Sequence, residues 1–185
     1  MWPVIRQRPY SIIANPSDTP KSIFISGFDS APLAPDMDFL VKDFPLEFQK
    51  GIDALKKLTN GKIHLSLDAT FSAATKTYSN VSGVEFHRFT GPHPAGNIGV
   101  QINHIEPISK GNKAWFIGPL DVIKIGKLFI DGQLDNSTVV AVAGSEVIKP
   151  IYHKIIRGAS IIPIIKDNIK QGEVRYISGN VLTGH

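Results

Sequence analysis

The sequence predicts a mixed α/β fold in which a Rossmann-like α/β domain, residues 1–134, precedes a small β-grasp domain, residues 135–185. In the first part, short apolar runs alternate with a segment of helical periodicity, and strand-helix-strand order implies parallel strands with a right-handed crossover. After Asp135 two strand-like runs, a short helix and a third run follow in β-grasp order. With 185 residues the chain is long enough for one or two domains.

The first predicted strand contains Ile23-Phe24-Ile25, and a linker rich in proline, alanine and aspartate, residues 29–38, separates it from a helix. Pro45 suits the first turn of that helix, and Asn60-Gly61 is its stop signal. Its apolar face has the spacing i, i+4, i+7 and i+10, occupied by Phe48, Ile52, Leu55 and Leu58. We therefore expect this helix to pack on a parallel sheet.

The rest of the first domain shows three strand patterns and one helix. Ile63, Leu65 and Leu67 alternate with polar residues, which predicts a strand covered on one face, with His64 and, on a later strand, His87 facing outward. Two further alternations predict strands on either side of a proline loop, at Val84, Phe86 and Arg88 and at Val100, Ile102 and His104. A densely apolar helix from Pro119 to Gly132 should be largely buried, with Lys127 reaching the surface.

The second domain is predicted to begin between Gly132 and Thr138. Its elements are strands at 139–142, 151–156 and 173–178 and a helix at 159–166. The segments 151–156 and 161–165 contain more isoleucine than so small a core readily uses. They are expected to form a docking surface, with ordinary core packing as the alternative.

Composition excludes several classes of function. The chain has no cysteine, which rules out disulfides, iron–sulfur clusters and thiolate zinc sites. The net charge of +4 is spread without a basic stripe and without interleaved aromatic residues, so nucleic-acid binding is not expected. We find neither a signal-peptide pattern nor an apolar run of about 18 residues, so any membrane link should go through a partner.

The histidines at 64, 87, 93, 104, 153 and 185 include no i, i+3 or i+4 pair on a helix, so no metal site is predicted. His93 is held between Pro92 and Pro94, where a structural hydrogen bond inside the loop competes with a ligand or proton-transfer role. Trp115 and Phe116 suit a core or a subunit interface better than a quinone-stacking pair. A hydrolase elbow, G-x-S-x-G, is not found.

Residues 91–96, Gly-Pro-His-Pro-Ala-Gly, look like a phosphate loop, but two prolines lack the N–H groups that a phosphate cradle requires. Three more motifs follow: Trp115, the run Asp-Val-Ile-Lys-Ile-Gly-Lys-Leu-Phe at 121–129, and Ile-Ser-Gly-Asn-Val-Leu-Thr-Gly at 177–184. Together with the loop they resemble the family of A subunits of the bacterial Na+-translocating NADH:quinone reductase. The resemblance begins at Trp2-Pro3 and runs to the end of the chain. Residues 99–103, 115–121 and 144–147 depart from the family pattern.

The resemblance implies a peripheral, non-catalytic subunit on the cytoplasmic side of the bacterial inner membrane, held there by the other subunits. The complex would pass electrons from NADH through flavins and iron centres in those subunits to a quinone and export Na+, with no cofactor on this chain. It also implies a soluble-ligand-binding type of β-grasp domain, and a lipoyl-like and a helical domain outside these 185 residues. His93, Trp115 and Phe116 are the candidates for a quinone-proximal surface.

Two other functions remain open. One is an independent module whose β-grasp part binds a small ligand and has no redox role. The other is a flavin oxidoreductase similar to the NADH-binding subunit of respiratory complex I, although the long glycine-rich flavin loop of that relative is missing here. Ser72-Ala73-Ala74-Thr75 resembles a flavin-attachment site superficially, and chance explains it better.

Overall fold

The computed structural model describes residues 1–70 and 76–185 and confirms the mixed α/β class. The Ser72-to-Thr75 sequence lies outside the described residues. Contacts divide the chain into two compact units, one of Met1–Ser30 with Asp36–Leu134 and one of Ala31–Pro35 with Asp135–His185. The assignment of 1–134 and 135–185 as separate domains stays a prediction.

A six-stranded sheet forms the centre of the first unit. Its strands are β1 (Arg6–Arg8), β2 (Ile12–Ile13), β3 (Ser22–Ser26), β4 (Ile63–Asp68), β5 (Glu85–Phe89) and β6 (Ala114–Phe116). Their order in the sheet is β2-β1-β6-β3-β4-β5, in which β6, β3, β4 and β5 are parallel and β1 is antiparallel to both of its neighbours. The parallel β3–β4 pair, with a helical segment between the two strands in the chain, confirms the predicted parallel pairing.

Helices cover both faces of this sheet. They are α1 (Met37–Val41), α2 (Pro45–Leu55), α3 (Lys76–Ser79), α4 (Ile98–Ile105) and α5 (Pro119–Asp131). The larger core joins α2 and α5 to one face, with Phe48, Ile52 and Leu55 fully buried as the helical spacing predicts. A smaller cluster on the opposite face packs α4 against Phe24 and Ala114.

The predicted helix from Pro119 to Gly132 is confirmed. Pro119 is in its first turn, where a missing N–H costs nothing, and Gly132 ends it with a φ of 69°, a left-handed conformation that favours glycine. The helix is not buried all round, because Phe129 is exposed. Lys127 places its Nζ 4.6 Å from the centre of the Phe44 ring.

The predicted strand at Val100, Ile102 and His104 is wrong, because these residues belong to α4. The apolar residues alternate over only five positions, and so short a pattern fits the period of a helix as well as that of a strand. Ile98, Ile102 and Ile105 have the helical spacing i, i+4, i+7, and all three belong to the cluster on that face of the sheet.

The prediction that His64 faces outward is also wrong. β4 is an inner strand of the sheet, and its two faces are both covered: His64 and Ser66, at 3% and 1% exposed, are as buried as Leu65 and Leu67 on the other face. A strand buried on both sides is normal for a parallel sheet with helices on each face. His87, on the edge strand β5, is half-buried.

In the second unit, β7 (Ser137–Val142) and β8 (Ile151–Ile156) pair antiparallel, and α6 (Ile162–Ile165) is shorter than predicted. The predicted strand at 173–178 is wrong, because these residues have no strand structure and the sheet of this unit consists of β7 and β8. An isolated antiparallel bridge joins residues 146–148 to 168–170 instead. In residues 135–185, all of which are described, Val142 is the only buried hydrophobic side chain. None of the helices in the described part of the chain has the length and apolar character that crossing a bilayer requires.

Candidate functional site

The proline loop lies at the carboxyl edge of the parallel strands, where open α/β sheets bind their ligands. Ser26, the last residue of β3, donates a hydrogen bond from its Oγ to the Gly96 carbonyl at 3.3 Å. Gln101, buried on α4, donates from Nε2 to the Ala95 carbonyl at 3.2 Å and to Ser26 Oγ at 2.9 Å. The loop is therefore attached to both the sheet and the helix that follows it.

His93 is tied to the loop after β3. Its Nδ1 lies 3.1 Å from Ser30 Oγ, and that same hydroxyl accepts a hydrogen bond from the Gly96 N–H at 2.8 Å. The hydrogen bond predicted inside the loop is made instead to Ser30, which lies outside it. The imidazole is half-buried, so one part of the ring is accessible while Ser30 sets its direction.

Trp115 and Phe116 are neighbours on β6, and consecutive strand residues point to opposite faces. Trp115, 1% exposed, packs in the larger core, where its Nε1 donates to Gln7 Oε1 at 3.0 Å and its ring meets Trp2 edge-on at 5.6 Å. Phe116 packs in the smaller cluster under α4. The structure does not bring His93, Trp115 and Phe116 together.

A second group of polar side chains lies elsewhere on the sheet, on the face that α4 covers only in part. His64 Nδ1 is 2.9 Å from His87 Nε2 and 3.6 Å from Glu85 Oε2. The His64 ring stacks on Phe24, with ring centres 4.7 Å apart and planes 24° apart. We call His64, Glu85 and His87 the histidine cluster.

One further carboxylate, Glu106, and two lysines, Lys21 and Lys62, surround the histidine cluster. Lys62 Nζ is 2.5 Å from Glu85 Oε1, and this hydrogen-bonded ion pair lowers the Glu85 pKa. Burial alone would raise the Glu106 pKa, but hydrogen bonds from Ser22 and Lys21 outweigh it and the pKa is lowered. Glu106 Oε2 lies 3.9 Å from His64 Nε2.

Burial is the main reason why the pKa values of His64 and His87 lie below that of a free histidine, and the proximity of the two rings lowers that of His64 further. The pair is therefore neutral at neutral pH. A neutral imidazole carries one lone pair on a ring nitrogen, which is the form that hydrogen-bonds a partner or ligates a metal.

Sequence reasoning missed the histidine cluster because it searched for metal-ligand spacing along one helix. The cluster forms across two parallel strands, where His64 is in register with Glu85 and Ser66 with His87. Glu85 and His87 are two residues apart in β5, so their side chains lie on the same face of the strand. That spacing was the available signal, but the register with β4 is set only by the fold.

Comparisons with known proteins agree on one family. A family model described as "NqrA second alpha/beta domain" matches residues 1–134, and one described as "NQRA C-terminal domain" matches residues 139–185. The A-type subunit of the Na(+)-translocating NADH-quinone reductase of Photorhabdus laumondii is 39% identical over 184 residues. The corresponding protein of Pasteurella multocida is 38% identical over 184 residues.

Both relatives are longer than this chain. The matches cover 100% of this chain and 40% and 41% of the two relatives. Among solved structures, an NAD+-reducing [NiFe]-hydrogenase in the air-oxidized state matches 87% of this chain and 34% of its own, with a TM-score of 0.57 and 15% identity. That similarity concerns the fold alone.

Proposed function

The chain belongs to the NqrA family of the Na+-translocating NADH-quinone reductases, and from this we propose that it forms the central, non-catalytic segment of the NqrA protein in such a complex. The observation that carries the proposal is the match of two consecutive family domains together with identity along the whole chain. In the proposed complex, other subunits hold the flavins and iron centres that pass electrons from NADH to quinone while Na+ is exported. This segment lies peripherally on the cytoplasmic side of the inner membrane.

A direct test uses an affinity tag on the full-length protein. Purification from membranes should recover partner subunits together with Na+-stimulated NADH:quinone reduction, and deletion of residues 1–185 should remove both. Recovery of the tagged protein without partners and without that activity would contradict the proposal. We assign no redox cofactor to the segment itself, which is consistent with its lack of cysteine.

The second unit supplies a surface for those partners. Ile151, Ile156, Ile161 and Ile162 are exposed, and Ile162 is 64% exposed. A contact that holds a peripheral subunit in place should bury at least about 1,000 Å² in total and have an apolar centre. We assign this apolar surface of β8 and α6 to contact with the other subunits of the complex.

Ile162→Glu should release the full-length protein from membranes, with affinity reduced about 10- to 100-fold, because an unpaired carboxylate in an interface loses its hydration. The measurement is the fraction of full-length protein that sediments with membranes, with folding checked by circular dichroism. Gln171→Glu adds the same charge at an exposed polar position of the same unit and should have no effect. Unchanged sedimentation of Ile162→Glu would place the docking surface elsewhere.

Of the three quinone-proximal candidates, we assign a surface role to His93 and core roles to Trp115 and Phe116. Trp115 is almost fully buried, whereas His93 is partly accessible at the ligand-binding edge of the sheet and is oriented by Ser30. His93 therefore has the position from which an imidazole N–H can donate to a quinone carbonyl.

His93→Ala should raise the KM for quinone of the reconstituted complex about 2- to 10-fold, the value of one hydrogen bond, with a smaller change in kcat. His104→Ala removes a histidine that is exposed on α4 and should leave both constants unchanged. A lowered melting temperature with an unchanged KM would assign His93 to loop structure only.

A further inference from the structure

We propose that the histidine cluster, His64, Glu85 and His87, is a binding site for one divalent transition-metal ion of the zinc class. The site is independent of the quinone surface and of any redox chemistry. Two imidazoles and one carboxylate form a donor set that favours Zn²⁺ and its neighbours in the transition series over Mg²⁺ and Ca²⁺, which prefer oxygen ligands only.

The distances fit such an ion. Zinc–nitrogen and zinc–oxygen bonds of about 2.0–2.1 Å in a tetrahedron put neighbouring ligand atoms about 3.3 Å apart. The separations of 2.9 Å between His64 Nδ1 and His87 Nε2 and of 3.6 Å between His64 Nδ1 and Glu85 Oε2 lie on either side of that value. All three ligand atoms lie within 4.8 Å of one another, so rotation of the partly exposed Glu85 and His87 side chains can bring them around a single ion.

The backbone holds these ligands in place before any ion binds. β4 and β5 pair through five registered positions, from His64 opposite Glu85 to Asp68 opposite Phe89. The His64 ring is further fixed by stacking on Phe24. A donor set on two paired strands loses little conformational entropy on binding, which is the requirement for an affinity above that of scattered surface histidines.

The atoms behind the ligands also suit a metal site. His64 Nε2 is buried and has no hydrogen-bond partner among the described residues, and the nearest carboxylate oxygen, Glu106 Oε2, is 3.9 Å away. Metal ligation at Nδ1 places the proton on Nε2, so that an N–H faces this carboxylate. A carboxylate behind a metal-bound histidine is the common arrangement that orients the ring and raises its basicity.

Glu85 can serve the ion and Lys62 together. Its Oε1 pairs with Lys62, whereas Oε2 faces His64. The side chain is 44% exposed, which gives the ion a route of entry. Three protein ligands leave a fourth position for water, so the site has the open coordination that distinguishes it from a closed structural zinc site.

The alternative for the same residues is a hydrogen-bonded pair of neutral histidines with a surface ion pair beside it. The two interpretations differ in one measurable respect. Only a metal site binds a divalent ion with an affinity that falls when His87 or Glu85 is replaced. His87 and Glu85 are also the least buried of the three, so their substitution is the least disruptive to the fold.

The test is a titration of the full-length, chelator-treated protein with Zn²⁺ by calorimetry and with Co²⁺ by visible absorption. We expect one equivalent of Zn²⁺ and the intense d–d bands of tetrahedral Co²⁺. Loss of an outer-shell partner typically costs about 10- to 100-fold in metal affinity, so loss of a ligand in His87→Gln should cost more than about 100-fold. Glu85→Gln keeps an oxygen donor but loses the carboxylate charge, so the loss of affinity should be smaller, about 10-fold or more.

His104→Gln, on the exposed side of α4, is the matched control and should bind as the unsubstituted protein does. X-ray absorption of the zinc-loaded protein should show two imidazole ligands, and one in His87→Gln. The proposal is overturned if no equivalent binds, if only six-coordinate cobalt is seen, or if His87→Gln and Glu85→Gln bind as tightly as the control. Circular dichroism of each variant verifies that a lost site does not reflect a lost fold.

Discussion

Trp115→Ala is expected to lower the free energy of unfolding of the first unit by about 3–5 kcal/mol, the usual cost of truncating a large buried aromatic side chain. Trp115 is 1% exposed and belongs to the core between the sheet and helices α2 and α5. Its removal also leaves Gln7, itself 8% exposed, without the hydrogen bond that its side chain accepts from the indole. The edge contact with Trp2 is lost as well.

The measurement is urea unfolding followed by the fluorescence of Trp2, which remains as the one tryptophan of the variant. Phe129→Ala, an aromatic truncation at a position 62% exposed on α5, should change stability by no more than about 0.5 kcal/mol. If Trp115→Ala unfolds like the unsubstituted chain but abolishes quinone reduction in the complex, the side chain acts on quinone and its role in the core is refuted.

Gly126→Ala should destabilise the same unit by about 1–3 kcal/mol, because it forces α2 and α5 apart. A Cβ at this position would lie 1.7 Å from the Glu47 carbonyl oxygen, which is backbone and cannot turn away. Alanine is favoured over glycine in a helix by about 1 kcal/mol. Relief of so close a contact requires movement of the whole helix, and that cost is larger than the gain. Gly51 makes the reciprocal approach on α2, with 2.2 Å between its would-be Cβ and the Val122 carbonyl oxygen.

Thermal and urea unfolding of Gly126→Ala and Gly51→Ala test this packing. Both variants should have a lower melting temperature and a lower free energy of unfolding than the unsubstituted protein. Lys50→Ala, next to Gly51 but on the exposed side of α2, replaces one good helix former with another and should be neutral. An increase in stability for either glycine variant would mean that the two helices are not in backbone contact.

Prediction from the sequence succeeded where the signal was long and local. Helices α2 and α5 repeat their apolar pattern over several turns and have proline at the start, so each element was specified within about a dozen residues. Strands β3 and β4 followed from short apolar runs, and their parallel pairing from the helix between them. The family was evident from ordered motifs along the whole chain, and the comparisons confirm it.

Prediction failed where a short pattern fitted two structures or depended on a distant partner. Residues 100–104 alternate like a strand, yet they lie in a helix whose apolar residues at 98, 102 and 105 meet the sheet. Residues 173–178 have strand composition but pair with neither β7 nor β8. In both cases the structure depends on residues that are distant in the sequence, and a local pattern gives no information about them.

The sequence by itself determined the α/β class, the family and the elements whose apolar faces repeat. Each of these follows from short patterns of residues that are close together in the chain. The tertiary structure alone decided that Trp115 is core, that His93 is anchored by Ser30, and that His64 meets Glu85 and His87. The physical reason is that these relations depend on strand order and register, which arise when distant segments bury their apolar faces together. The polar contacts then follow from where the backbone has placed each side chain.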